Sequence, residues 1–75
     1  MDDRLAAWLR TMYPAWRITR RTDRRGQEWW WARWPHPLTP RQRQMGVITW
    51  LARPTVADLL RALDAQAELL RRTGW

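Results

Sequence analysis

The residues of this chain whose types could do chemistry are the tryptophans and arginines of its middle segment. Residues 14–53 contain nine arginines and two acidic residues, Asp23 and Glu28, whereas the segments on either side carry no net charge. The same segment contains three consecutive tryptophans at positions 29–31. Guanidinium groups bind phosphates and carboxylates, and indole rings stack on flat groups such as nucleobases. The pattern therefore predicts noncovalent binding to a partner rather than bond-breaking chemistry.

The remaining residue types indicate no catalytic or metal site. The chain has no cysteine and no serine, and its one histidine, His36, stands between two prolines of a predicted loop. The acidic residues are expected at turns and on helix faces, and their spacing brings no two of them together as a catalytic pair. The three glycines form no phosphate-binding loop. We therefore expect a protein that is not an enzyme and that holds no cofactor and no metal.

The elements that must position the tryptophans and arginines follow from the hydrophobic periodicity. A chain of 75 residues can build one small core, so residues 1–75 are expected to form a single domain. The predicted fold class is α+β: a helix, a three-stranded antiparallel meander and a second helix, with both helices on one sheet face. The predicted bounds are 3–12 for the first helix, 15–22, 28–34 and 47–53 for the strands, and 56–73 for the last helix.

Turn and capping residues mark the ends of these elements. Asp2 or Asp3 is expected to cap the first helix, and Thr55 the last. Residues 23–26 predict a hairpin turn that Gly26 closes with a positive φ, and a single helical turn is expected over 41–45. The first helix is predicted to pack through one apolar stripe, formed by Leu5, Trp8, Leu9 and Met12.

Alternation along the strands predicts which side chains face solvent. Successive side chains point to opposite faces, so at least one of the tryptophans at 29–31 must point away from the helices. Arginine favours solvent, so the set sharing a face with Arg33 is expected outside and the alternate set inside. The expected outward set is Trp29, Trp31 and Arg33, with Arg17, Thr19 and Arg21 on the first strand; the inward set is Trp30, Ala32 and Trp34, with Trp16 and Ile18. Both faces of the third strand are mostly apolar, so its orientation stays open.

Nucleic acid and protein are the two partner classes that this outward face favours. Arginines would contact phosphates and tryptophans would stack on unpaired bases; alternatively, the same residue types would form the centre of a protein interface or of a homodimer. The charge confined to residues 14–53 favours nucleic acid, and the apolar surplus of the third strand favours protein. A membrane surface ranks below both, because the two helices are nearly neutral. The candidate partner-binding residues are Arg17, Arg21, Arg24, Arg25, Trp29, Trp31, Arg33, Arg41 and Arg43.

Two short motifs carry a resemblance to a known group. The stretch from Tyr13 to Ile18, the Trp-Trp-Ala-Arg of residues 30–33 and a leucine-rich last helix resemble a group of small actinobacterial proteins with Tyr-Pro-Gly-Trp and Trp-Trp-Ala motifs. Ala15 stands where that group has glycine, and residues 35–46 have no counterpart in it. The group has no established activity, and its association with helix-turn-helix regulators implies a regulatory accessory role. The lack of cysteine and of a signal-like N-terminus leads us to expect a cytoplasmic protein.

Overall fold

The computed structural model describes residues 2–74, with the side chains of residues 4–74. Within residues 2–74, three helices and three strands follow one another. They are α1 (Asp2–Met12), β1 (Arg17–Thr22), β2 (Glu28–Arg33), α2 (Pro40–Gln44), β3 (Trp50–Arg53) and α3 (Val56–Arg72). The predicted α+β class is confirmed: the strands form one antiparallel sheet in the order β1-β2-β3, and α1 and α3 pack on it. The side chains of Asp2 and Asp3, the predicted cap, lie outside the described residues.

The core lies between the sheet and the two long helices. Alternation along β1 and β2 turns one set of side chains to this inner face, and the longest helix, α3, contacts β2 and β3 while α1 contacts β1. Trp16 and Trp34 meet there with ring centroids 5.2 Å apart. Among the described residues, the buried apolar ones are Ala6, Leu9, Trp16, Ile18, Trp30, Ala32, Trp34, Val47, Leu51, Leu59, Leu63 and Leu70. Large aromatic groups thus supply much of the buried area in a chain without disulfides.

The predicted third strand, 47–53, is too long at its start. Trp50–Arg53 pairs with β2, and the carbonyl of Thr49 still accepts from Trp34 N just beyond β2, but the two residues before Thr49 bond outside the sheet. Val47 N donates to the carbonyl of Gln42 in α2, and Ile48 N donates to Oε1 of Gln66 in α3. The first strand likewise begins at Arg17 rather than 15, after a turn in which Trp16 N donates to the carbonyl of Tyr13.

The predicted apolar stripe of α1 is wrong in three of its four members. Leu9 is buried, but Leu5, Trp8 and Met12 are exposed, and the second buried residue is the small Ala6. α1 contacts β1, the edge strand, and Nε of its Arg10 donates to the carbonyl of Ile18 at 3.1 Å. A helix seated at the edge of a sheet buries only a narrow stripe, so helical periodicity overestimates its packed face.

The ends of α2 and α3 follow the predicted capping signals. Thr39 Oγ1 accepts from Gln42 N while the side chain of Gln42 accepts from Thr39 N, which completes a capping box around the predicted short helical turn. Thr55 Oγ1 accepts from Asp58 N at the start of α3. Gln66 of α3 contacts the segment after α2 through Gly46 and Ile48, so this connection packs beside α3.

Candidate functional site

The side of the sheet away from α1 and α3, called the outer face below, carries arginine and tryptophan side chains from all three strands. Strand pairing arranges them in rows across the sheet. The first row is Arg17, Arg33 and Trp50; the second is Thr19, Trp31 and Ala52; the third is Arg21 and Trp29. Trp31 and Arg33 are exposed while Trp30 and Ala32 are buried, as the alternation predicts.

Two like charges stand directly opposite each other in the first row. Arg17 of β1 is the cross-strand partner of Arg33 of β2. Directly opposite residues have Cβ atoms only ~4.5–5.5 Å apart, and like charges in this position destabilise an antiparallel sheet. No carboxylate among residues 4–74 pairs with either guanidinium. The row is therefore a site of uncompensated positive charge on a surface that folding alone does not require.

Trp31 and Trp50 form a stacked pair in the middle of the outer face. Their ring centroids are 5.8 Å apart and their planes are inclined by 29°, which is an offset stacking geometry. They occupy adjacent rows on neighbouring strands, so they are diagonal neighbours across the sheet. Trp31 is 37% exposed and Trp50 is 57% exposed, so the pair presents aromatic surface to solvent.

Trp29 is held at the hairpin end of the outer face by Asp23. Its Nε1 donates to Oδ2 of Asp23 at 3.0 Å, and the other carboxylate oxygen of Asp23 accepts from the backbone N–H groups of Arg25 and Gln27. The Trp29 hydrogen bond lowers the pKa of Asp23, and the two backbone hydrogen bonds act in the same direction. Asp23 therefore holds both the turn and the indole of Trp29, and both of its carboxylate oxygens accept hydrogen bonds.

The nine predicted binding residues do not form one group. Five lie on the outer face, namely Arg17, Arg21, Trp29, Trp31 and Arg33. Arg24 and Arg25 stand at the tip of the β1–β2 hairpin, beyond the third row. Arg41 and Arg43 lie on α2, whose connection to β3 packs beside α3, so they are outside this group.

Shallow depressions flank Trp31 on the outer face. One is lined by Arg17, Arg21, Arg33 and Trp50, and the other by Arg21, Asp23, Trp29 and Ala52. Arg21 and Trp31 line both, so the ring stands as a ridge between them. Flat groups can contact this ridge while a charged chain follows the arginines on its β1 side.

The predicted outward set does not include Trp50, which lies on the outer face, and the sequence does not predict the contacts of Arg20 with Glu28 and Trp30. Trp50 joins the outer face because Leu51 turns inward opposite Ala32, and only strand pairing decides between the two apolar faces of β3. Arg20 lies 6.0 Å from the ring centroid of inward-facing Trp30 and forms an ion pair with Glu28. It therefore serves the fold at the hairpin rather than the outer face.

Comparisons of the chain with protein-family models, with curated proteins and with solved structures gave no match. Within residues 2–74, no helix combines the length and the apolar character needed to cross a bilayer. Among the described side chains, no three histidine, aspartate or glutamate residues come together as metal ligands.

Proposed function

We propose that this protein is a small, non-enzymatic module that binds single-stranded nucleic acid on the outer face. The observation that carries the proposal is the combination of the exposed Trp31–Trp50 stack with Arg17, Arg21 and Arg33, which have no carboxylate partner among residues 4–74. Stacking requires unpaired bases, and sheets that display aromatic rings among basic residues suit single strands. In this assignment Trp31 and Trp50 stack on bases, and Arg17, Arg21 and Arg33 contact phosphates.

The charge of the outer face favours an anionic polymer over a second copy of the same chain. Two outer faces placed against each other would bring together two sets of Arg17, Arg21 and Arg33. Among residues 4–74, the carboxylates closest in sequence to these strands, Asp23 and Glu28, already bind Trp29 and Arg20. Burying like charges without partners is costly, whereas phosphates would neutralise them.

The biological setting that we propose is a regulatory accessory role in the cytoplasm. It is supported by the resemblance of the Tyr-Pro and Trp-Trp-Ala segments to the small actinobacterial proteins that accompany helix-turn-helix regulators. The absence of cysteine agrees with a reducing compartment.

A protein interface is the second candidate for the outer face. Trp50 at the edge strand and Ile48 just before it are both strongly exposed, at 57% and 43%. Tryptophan and arginine are also the residue types enriched at the centre of protein interfaces. This candidate requires a partner with acidic side chains to meet the arginines.

The test is a titration of short fluorescein-labelled DNA and RNA single strands with the protein at low salt, followed by fluorescence anisotropy. Trp50→Ala is expected to weaken binding by about 5- to 150-fold, the equivalent of one lost base stack of ~1–3 kcal/mol. Trp8→Ala is the matched control, because Trp8 is similarly exposed, at 47%, but lies on α1. It is expected to leave the affinity unchanged.

Light scattering on the same samples distinguishes the two candidates. A monomer that binds single strands more tightly than the matching duplex supports the proposal. Absence of binding to any strand at low salt rules the proposal out. A stable dimer that Trp50→Ala dissociates, with no oligonucleotide binding, would assign the outer face to a protein interface.

A further inference from the structure

A second basic site lies at the free edge of β1, beside the outer face. This pocket, called the β1-edge pocket below, is an open depression lined by Arg10 of α1, Arg17 of β1 and His36, with Pro14, Ile18 and Pro35 around them. Among residues 4–74, no acidic side chain lines it. We propose that the β1-edge pocket binds the terminal phosphate of the nucleic acid strand, an inference that rests on the proposed function of the outer face.

Arg10 is held in position for such a ligand. Its Nε donates to the carbonyl of Ile18 at 3.1 Å, and the structure gives its two terminal nitrogens no partner among residues 4–74. A guanidinium anchored through Nε presents those two nitrogens as a fork, the geometry that binds two phosphate oxygens together. The fork therefore needs little ordering when the ligand arrives.

The backbone of Ile18 adds a donor to the same pocket. In an antiparallel sheet the N–H and C=O of one residue point to the same side of its strand. The carbonyl of Ile18 points to Arg10 on α1, away from the paired residue Ala32 on β2. Its N–H therefore also points out from the edge of β1, toward the space that Arg10 borders.

Arg17 connects the pocket to the outer face. Arg17 and Thr19 line both the β1-edge pocket and the outer-face depression beside Trp31. A nucleic acid strand whose bases stack on Trp31 can therefore run along β1 and reach the pocket. No acidic side chain among residues 4–74 lines either depression on this path. Pro14, Pro35 and His36 border the pocket at this end of the sheet, and the ring of His36 stands edge-on to Trp34 at 5.0 Å between centroids.

The number of donors favours a terminal phosphate over a bridging one. The fork of Arg10, the guanidinium of Arg17 and the N–H of Ile18 converge on one depression. A phosphodiester offers two non-bridging oxygens and one negative charge, whereas a terminal phosphate has three such oxygens and a charge of about −1.5 to −2. The terminal group therefore offers these donors one more acceptor oxygen and a larger negative charge than a bridging phosphate does.

The experiment compares one single-stranded sequence with a 5′-phosphate, with a 3′-phosphate and with neither. One of the two terminal phosphates is expected to raise the affinity of the unmodified protein by about tenfold. Arg10→Gln should abolish this gain and leave the affinity for the unphosphorylated strand unchanged. Arg61→Gln, which removes the same charge from an exposed position on α3, should retain the gain. The gain is the ratio of the affinities of one variant for the phosphorylated and unphosphorylated strands. A smaller fraction of folded protein lowers both affinities equally and so leaves this ratio unchanged.

Two outcomes separate this inference from the proposed function. Equal binding of all three strands by the unmodified protein overturns the terminal-phosphate site but leaves the outer-face proposal intact. A gain that persists in Arg10→Gln overturns the assignment to this pocket. If no strand binds, both proposals fail together.

Discussion

Replacing the like-charged pair Arg17 and Arg33 by glutamine should weaken nucleic-acid binding while stabilising the fold. The two side chains are direct cross-strand partners, and no carboxylate among residues 4–74 pairs with either of them. Their mutual repulsion therefore raises the free energy of the folded state. Relief of such a pair contributes ~0.2–1 kcal/mol. In a domain of this size that corresponds to a rise in melting temperature of about 1–8 °C at low salt, and the rise should shrink as salt screens the charges.

The binding loss has a magnitude that salt dependence can measure. Each phosphate contact on a single strand contributes a slope of about −0.7 to the plot of log affinity against log salt concentration. Three contacts from Arg17, Arg21 and Arg33 give a slope of about −2.1, so a fourfold rise in salt lowers affinity ~18-fold. With two contacts removed, the slope changes by about 1.4, to about −0.7. The same fourfold rise in salt then lowers the affinity only ~2.6-fold.

The control for this experiment is the double variant Arg71→Gln with Arg72→Gln. It removes the same net charge, but both arginines form ion pairs with Glu68 at the end of α3, away from the outer face. Fluorescence anisotropy across a salt series gives the slopes, and thermal unfolding gives the stability. The reasoning is refuted if the two double variants flatten the slope equally, or if the Arg17 and Arg33 variant binds as the unmodified protein does.

Two further predictions concern the fold that holds the site. Trp34→Ala should lower the free energy of unfolding by about 3–5 kcal/mol in urea titrations, because the ring is buried against Trp16, whereas Trp8→Ala should cost about 0.5 kcal/mol or less. Tyr13 donates to Asp64 Oδ1 at 2.7 Å, and burial, followed by that contact, raises the pKa of Tyr13 to about 12. A raised pKa favours the protonated phenol in the fold, so stability should hold below pH ~10 and fall as pH rises toward 12, and Tyr13→Phe should remove this decline in unfolding titrations.

Local sequence signals determine most of the fold and the orientation of β2. The alternation through Trp30, Ala32 and Trp34 gives the correct inward set, because one arginine, Arg33, distinguishes the two faces of the strand. The hairpin turn is equally local: Gly26 has φ +80°, and Asp23 binds the backbone of the turn. Signals of this kind lie within a few residues of the structure that they determine.

The errors lie where a partner distant in sequence decides the outcome. The predicted start of β3 at residue 47 is wrong because Ile48 N donates to Gln66, which is 18 residues away in the sequence. Leu5, Trp8 and Met12 are exposed because α1 packs at the edge of the sheet. Their helical spacing does not predict where the helix packs. The sequence does not predict which face Trp50 joins, because β3 has two apolar faces and only its register against β2 selects one.

Because side chains alternate along β2, the residues that build the core and those of the outer face can be substituted separately. Its inward tryptophan, Trp30, lies in the core, and its outward tryptophan, Trp31, stacks on Trp50 in solvent. Neighbouring positions on one strand therefore have opposite roles, and a substitution on the outer face leaves the packed face in place. The like-charged Arg17–Arg33 pair lowers the stability of the isolated domain, and the Trp31–Trp50 pair leaves apolar surface exposed to water. The proposed binding would account for both features at once, because bases would cover the rings and phosphates would neutralise the arginines.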